Sequence, residues 1–174
     1  MMSLAMEGRG TAVEAESSFY RLYDAEAPAV LRYIRAAVRD HALAEDLCGD
    51  AFCRAWDAWP RFRGNEAEAR AWVFRIARNL VIDRVRRDGR VRWESLREPH
   101  GIAGADDPVG TAASGHVDMR RATDRLGRDD RDLLAMRVAG LSHAEIARVQ
   151  GRSEEAVKKA WQRALLRLRQ ELEA

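Results

Sequence analysis

Apolar side chains return at helical spacing along nearly the whole chain, and nowhere do β-branched residues alternate cleanly with polar ones between turn signals. The expected fold class is therefore all-α. Phe19, Leu22, Tyr23, Val30, Leu31, Ile34 and Val38 mark a first helix or helix pair. It should bend near Pro28, because proline removes a backbone donor and clashes with the preceding turn. A second helix is predicted from about Leu43 to Trp56. At ~100° per residue, Asp46, Asp50, Cys53 and Asp57 share one stripe while Leu43, Leu47, Cys48, Ala51 and Ala55 lie on another, which assigns Cys48 to the core and Cys53 to the surface. Pro60 ends this helix, Arg61 to Glu66 read as a loop, and a long third helix follows from about Glu68 to Arg87.

The periodicity fails between Glu94 and Val117, where Pro99, Gly101, Gly104, Pro108, Gly110 and Gly115 punctuate the chain. Its acids, Glu94, Glu98, Asp106 and Asp107, outnumber its bases, Arg97 and His100, as in a solvated flexible linker. The plan is then a tail over 1–16, a small helical domain over 17–93, a linker over 94–117 and a second small helical domain over 118–174. In the second domain, Asp118 to Leu126 and Asp129 to Ala139 read as two short helices separated at Gly127, with Gly140 as a left-handed stop.

The run from Gly140 to Val157 carries the densest set of local signals. Ser142 can cap a helix whose Glu145 reaches back to the cap amide, Ala147 is small enough for a close crossing, Gly151 can take positive φ, and Ser153 can cap the next helix. Together they describe a helix-turn-helix whose second helix runs from Glu154 toward Leu172. Val157, Trp161, Ala164, Leu165, Leu168 and Leu172 fall on its core stripe, and Glu155, Lys159, Gln162 and Arg163 on the other side. Gln pairs with adenine, Lys donates to guanine, Glu accepts from cytosine and Arg holds phosphate or guanine, so this face suits DNA. The competing reading is an ordinary amphipathic helix with a charged, solvated face.

In the third helix, Arg75, Arg78, Asn79 and Arg86 share an arc of roughly 100° opposite Val73, Ile76, Ala77 and Leu80. A cationic stripe beside one amide suits phosphates plus a base edge. Phe62 in the preceding loop can stack on a base and Asn65 can hydrogen-bond one. An Arg-rich soluble face with Phe62 turned inward is the alternative.

Composition narrows the classes further. A chain of 174 residues, 47% hydrophobic, suffices for one ordinary domain or two small ones. Its net charge is only +2, so basic patches matter more than the total, and the cations are Arg apart from Lys158 and Lys159. No stretch approaches the roughly 18 to 20 apolar residues of a membrane span, and Met1 to Ser17 lacks a targeting pattern, so no membrane insertion and a cytoplasmic location are expected. Cys48 and Cys53 fit neither a disulfide framework nor a zinc site. His41, His100, His116 and His143 are scattered, as ordinary surface residues are, and no nucleophile, base or phosphate loop stands out. No enzyme activity, metal or cofactor is expected.

The order of parts is specific. An Ala44-Glu45-Asp46-Leu47 helix, an Arg61-Phe62-Arg63-Gly64 loop, a helix from Arg70 through Trp72, Phe74 and Asn79 to Leu80, a linker and a terminal helix-turn-helix together resemble the extracytoplasmic-function sigma factors of bacterial RNA polymerase. The resemblance covers the chain apart from its tail and linker. It implies a sigma-two domain that docks on the β′ clamp coiled coil of core polymerase through Glu45, Asp46, Asp50, Arg54 and Asp57. The same domain would bind and melt the minus-ten element through Arg61, Phe62, Arg63, Asn65, Arg75, Arg78, Asn79 and Arg86, the loop holding a base flipped from the non-template strand. It implies a sigma-four domain that touches the β flap and reads the minus-thirty-five element through Ser153, Glu155, Lys158, Lys159, Gln162 and Arg163. It also admits an anti-sigma partner, and an RNA-imitating role for the acidic linker. Ala156-Val157-Lys158-Lys159-Ala160 departs from the family's Thr-Val-Lys-Ser-Arg pattern, Lys159 standing in for the usual Arg contact, and Gln150 and Arg152 stand where apolar residues are common. These departures bear on the minus-thirty-five sequence and affinity, not on the fold. The runner-up is a two-domain helix-turn-helix regulator that does not bind core polymerase, and a helical adaptor making only protein contacts leaves both Arg-rich faces unexplained.

Overall fold

The computed structural model describes residues 4–38, 40–94 and 113–173, with side chains described for 14–38, 40–87 and 119–173. The described residues form helices α1 (Leu4–Val38), α2 (His41–Ala58), α3 (Glu66–Glu94), α4 (Ala113–Arg125), α5 (Arg128–Val138), α6 (His143–Gln150) and α7 (Glu154–Glu173). A 3-10 turn over Trp59–Arg61 joins α2 to the loop before α3, and no strand occurs among the described residues. The all-α expectation holds.

α1 is the single helix, not the pair, of the two alternatives. It starts ahead of Phe19, inside the segment read as a tail, and runs through Pro28 without a break. An interior proline costs a helix ~3 kcal/mol. Val30, Tyr33 and Ile34, all at 0% exposure just beyond it, each contribute ~1.5–3 kcal/mol on burial, so tertiary burial outweighs the local penalty. α2 begins two residues ahead of its apolar pattern because Asp40 caps it, accepting a hydrogen bond from the Leu43 amide at 3.0 Å. α3 runs past the expected end at Arg87.

α1, α2 and α3 pack on one another around Tyr33, Phe74, Val30, Ile34 and Val73. Cys48 packs against this core and Cys53 is exposed, as the helical wheel required. The second unit closes around Leu133, Met136, Leu141, Ile146 and Val157. Its turns rest on Gly140 (φ +94°) and Gly151 (φ +65°), a left-handed backbone that glycine adopts without a Cβ penalty. Val157 and Ala164 are buried along α7, whereas Leu165 and Leu172, expected in the core, are 41% and 42% exposed. Both lie at the edge of a stripe whose centre Val157, Ala164 and Leu168 already fill.

The two units lie side by side: α5 packs on α1, and α6 on α3. Residues 95–112 of the expected linker, including Glu98, Asp106 and Asp107, lie outside the described residues.

Candidate nucleic-acid and polymerase interfaces

The segment between α2 and α3 is built on aromatic rings. Phe62 stacks against Trp59 (5.2 Å, 8° between planes) and against Trp72 of α3 (5.0 Å, 29°), the two indoles lie 6.2 Å apart in the same cluster, and Phe19 of α1 meets Trp59 edge-on at 5.5 Å. The Trp59 indole donates to the Ala15 carbonyl (2.9 Å) and to Ser18 Oγ (3.2 Å), tying the turn to α1. Arg63 donates to the carbonyls of Pro60 and Phe62, both at 2.8 Å. A Cβ on Gly64 would lie 2.5 Å from Phe62 Cζ, which explains the glycine. Asn65 and Glu68 form a reciprocal cap at the start of α3: Asn65 Oδ1 accepts from the Glu68 amide (3.0 Å) and Glu68 Oε2 from the Asn65 amide (2.8 Å).

Between this loop and α1 lies a cavity of about 620 Å³, lined among others by Ser18, Arg21, Glu26, Trp59, Phe62 and Asn65. Its size and its mixture of aromatic faces with a few polar groups suit a planar heterocycle. Trp59, Ser18 and Arg21 were not singled out from the sequence. The clustering of Trp56, Trp59, Phe62 and Trp72 within one short stretch was the available signal.

Along α3, Arg75, Asn79 and Arg86 are exposed together, but Arg78 is turned toward the second unit, its Nε donating to Asp132 Oδ2 at 2.7 Å. On α2, Asp46, Asp50, Arg54 and Asp57 are exposed on one face, while Glu45 pairs with Arg35 (3.2 Å) and faces His41 (3.3 Å).

In the second unit the cap and turn chemistry expected of the helix-turn-helix is present. Ser142 Oγ accepts from the Glu145 amide (3.2 Å), Glu145 Oε2 accepts from the Ser142 amide (2.7 Å), and Ser153 Oγ accepts from the Ala156 amide (3.2 Å). Burial alone would raise the pKa of Glu145. The Ser142 amide and hydroxyl, with the charges of Arg70 and Arg148, outweigh it and hold the carboxyl below its ordinary range. Ser153, Glu155, Lys158, Lys159, Gln162 and Arg163 are all exposed along the N-terminal half of α7. Lys158 pairs with Glu154 (2.8 Å) and Lys159 with Glu155 (3.5 Å), exposed one-turn pairs that cost little to exchange for a phosphate or a base. His143 is not an ordinary surface residue: it is half-buried, its ring 6.2 Å from Trp161, and its Nε2 lacks a hydrogen-bond partner. Among the described residues no group of three or more His, Cys, Asp or Glu could hold a metal, and no helix is long and apolar enough to cross a membrane.

Family models for Sigma-70 region 2 and for Sigma-70, region 4 match residues 22–91 and 116–168. The chain is also 32% identical over 155 residues to the ECF RNA polymerase sigma factor SigD of Mycobacterium tuberculosis, a match covering 84% of this chain and 73% of SigD. This chain belongs to the ECF sigma factors. The region 2 match contains α2, the aromatic loop and most of α3, and the region 4 match contains the helix-turn-helix. The sigma-factor chain is 33% identical over 162 residues to the ECF RNA polymerase sigma factor BldN of Streptomyces coelicolor, covering 90% of this chain and 61% of BldN. It thus spans about three fifths of that relative. Among solved structures it is similar to the sigma factor RpoE of Bartonella quintana in complex with the anti-sigma factor NepR (TM-score 0.70, 25% identity, 90% of this chain and 98% of that one). CnrH, solved with the cytosolic domain of CnrY, shares the fold (TM-score 0.64, 24% identity, 93% and 94% covered).

Proposed function

We propose that this ECF sigma factor binds core RNA polymerase in the cytoplasm and directs promoter-specific initiation, catalysing no reaction itself. The observation that carries the reading is the pairing, in one chain, of a unit that bears a braced aromatic cavity and a cationic face on α3 with a unit that bears an exposed helix-turn-helix. The first chemistry suits an unstacked base and its backbone, the second a duplex major groove, and an initiation factor needs both. The exposed acidic face of α2, with Glu45, Asp46, Asp50, Arg54 and Asp57, serves as the docking surface for the β′ clamp coiled coil. α7 makes the contact with the β flap. In the aromatic loop, Arg63 and Asn65 line the cavity and Arg61 is exposed next to them in the chain, and the Asn65 amide NH₂ is the group left to reach a base, since its oxygen serves the helix cap.

Domains over 17–93 and 118–174, joined through 94–117, fit this division of labour. The anti-sigma factor NepR in complex with RpoE supports an anti-sigma partner here as well. Reconstitution with core polymerase and a promoter library tests the reading: the chain should copurify with core and enrich a two-element promoter in run-off transcription. A chain that binds DNA but not core polymerase would instead be a helix-turn-helix regulator.

A further inference from the structure

Polar side chains reach across the seam between the two units, and they converge on one carboxylate. Asp132 on α5 accepts from the buried Tyr33 hydroxyl of α1 at Oδ1 (2.8 Å), and from Arg78 of α3 (2.7 Å) and Gln150 of α6 (3.2 Å) at Oδ2. Burial, and then the carboxylate itself, keep the Tyr33 hydroxyl protonated far above its ordinary range, which fixes it as the donor. A second bracket stands at Arg70 of α3, whose guanidinium lies 3.4 Å from Glu26 of α1 and 3.1 Å from Glu145 of α6.

The carboxylate occupies a ligand position. Arg78 belongs to the cationic row proposed to track the promoter backbone, and Asp132 takes the place on it that a phosphate oxygen would take, with the short charge-assisted geometry such a pair adopts. The crevice beside it, about 400 Å³, is lined by Arg78 and Arg86 of that row, by Arg128 and Arg131, and by Asp129 and Asp132, and of these cations Arg78 is the one that Asp132 holds. Distance points the same way. Elements centred near minus ten and minus thirty-five are ~25 base pairs apart, ~85 Å at about 3.4 Å per pair. A compact chain of this length has a radius of gyration of only ~16 Å. With its units in contact, the molecule cannot sit on both elements at once.

We propose that the free chain holds itself closed, with Asp132 as the hub of an intramolecular clasp that masks Arg78 and must release for the promoter complex to form. The proposal rests on the sigma-factor reading for its consequence, though not for the clasp itself. Apolar side chains of the two units join in one core, but the clasp's own contacts are ionic or polar, so salt should weaken them.

The test uses the full chain with Asp132→Ala and, in case alanine disturbs folding, Asp132→Asn, which keeps the shape but loses the charge; circular dichroism checks both. Small-angle X-ray scattering should give a larger radius of gyration for the variants than for wild type, and wild type should expand as salt rises. If closed molecules outnumber open ones about ten to one, the apparent affinity is weakened by about that factor. The concentration of chain giving half-maximal run-off transcription should then fall about tenfold in the variants, with the saturated yield unchanged. Equal radii in folded wild type and variants, with no expansion of wild type in salt, would overturn the clasp, and expansion without a fall in the half-maximal concentration would overturn its masking role. If wild type fails to bind core polymerase, the initiation reading falls, and scattering alone still decides whether the clasp exists.

Discussion

Glu26 sits on α1 at 9% exposure, with Oε1 3.4 Å from Arg70 and Oε2 buried without a hydrogen-bond partner. Burial, opposed by Arg70 and assisted by Glu145, raises its pKa. A carboxyl whose pKa is higher in the folded than in the unfolded state adds stability below its unfolded pKa and loses that contribution as pH rises through the folded value. Glu145 behaves oppositely: its pKa is lowered, so its contribution is present above the unfolded pKa and lost as pH falls through the folded one. Once ionised, Glu26 is therefore a charge held against its preference. Glu26→Gln should raise the melting temperature at pH 7 relative to wild type, and the gain should shrink as the buffer is taken down through the carboxyl range. Thermal melts of both proteins across that range provide the check, and a constant or growing difference on acidification would refute the assignment.

Among the elements, the helix-turn-helix was almost wholly legible, because its signals are local. Ser142 with Glu145, Ser153, Gly140 and Gly151 act within four residues of themselves, and each does in the structure what its position in the sequence implied. The continuity of α1 was not legible, since Pro28 is a local signal and the burial that overrides it comes from α2 and α3. Asn65 was legible only in part. It was singled out for a base, but it is also the N-terminal cap of α3, which requires seeing Glu68 as its reciprocal partner. The two roles separate by substitution. Asn65→Ala should cost about 1 kcal/mol of stability through the lost cap, whereas Asn65→Ser and Asn65→Asp keep a capping oxygen and should recover most of it. None of the three keeps the amide NH₂, so all should lose preference at one minus-ten position. Denaturant melts beside promoter-library selection would read the two effects independently, and full promoter preference in Asn65→Ser would confine Asn65 to the cap.

For the whole molecule, the order of parts could be read from periodicity and turn residues, but the way the two units meet could not. Asp132 is one acid in a run with Asp129 and Asp130, and nothing along the chain distinguishes it until α5 is laid against α1 and α3. The acidic face of α2 is the reverse case, exposed as its wheel required and directed away from that core. Charge reversal at Asp46 and Asp50 together should weaken binding to core polymerase at least several-fold while leaving helicity and melting temperature near wild type, since exposed sites contribute little to stability. Unaltered affinity in a titration against core polymerase would remove α2 from the docking surface.

Glu145 divides its two oxygens between two tasks: Oε2 closes the cap of α6 on Ser142, and Oε1 faces Arg70 across the seam. Parting the units therefore releases one oxygen and leaves the other in place. The recognition module moves away as a finished body, with no turn of helix to re-form before it meets DNA, and the time needed to become competent is that of a hinge rather than of a refolding step. The same sharing restricts sequence drift. A change at Glu145 would disturb the cap and the seam together, whereas a change at Asp132 would disturb the seam and one side-chain bond to Gln150 but no helix cap, so variation in how readily such a chain opens has a freer path through α5 than through α6.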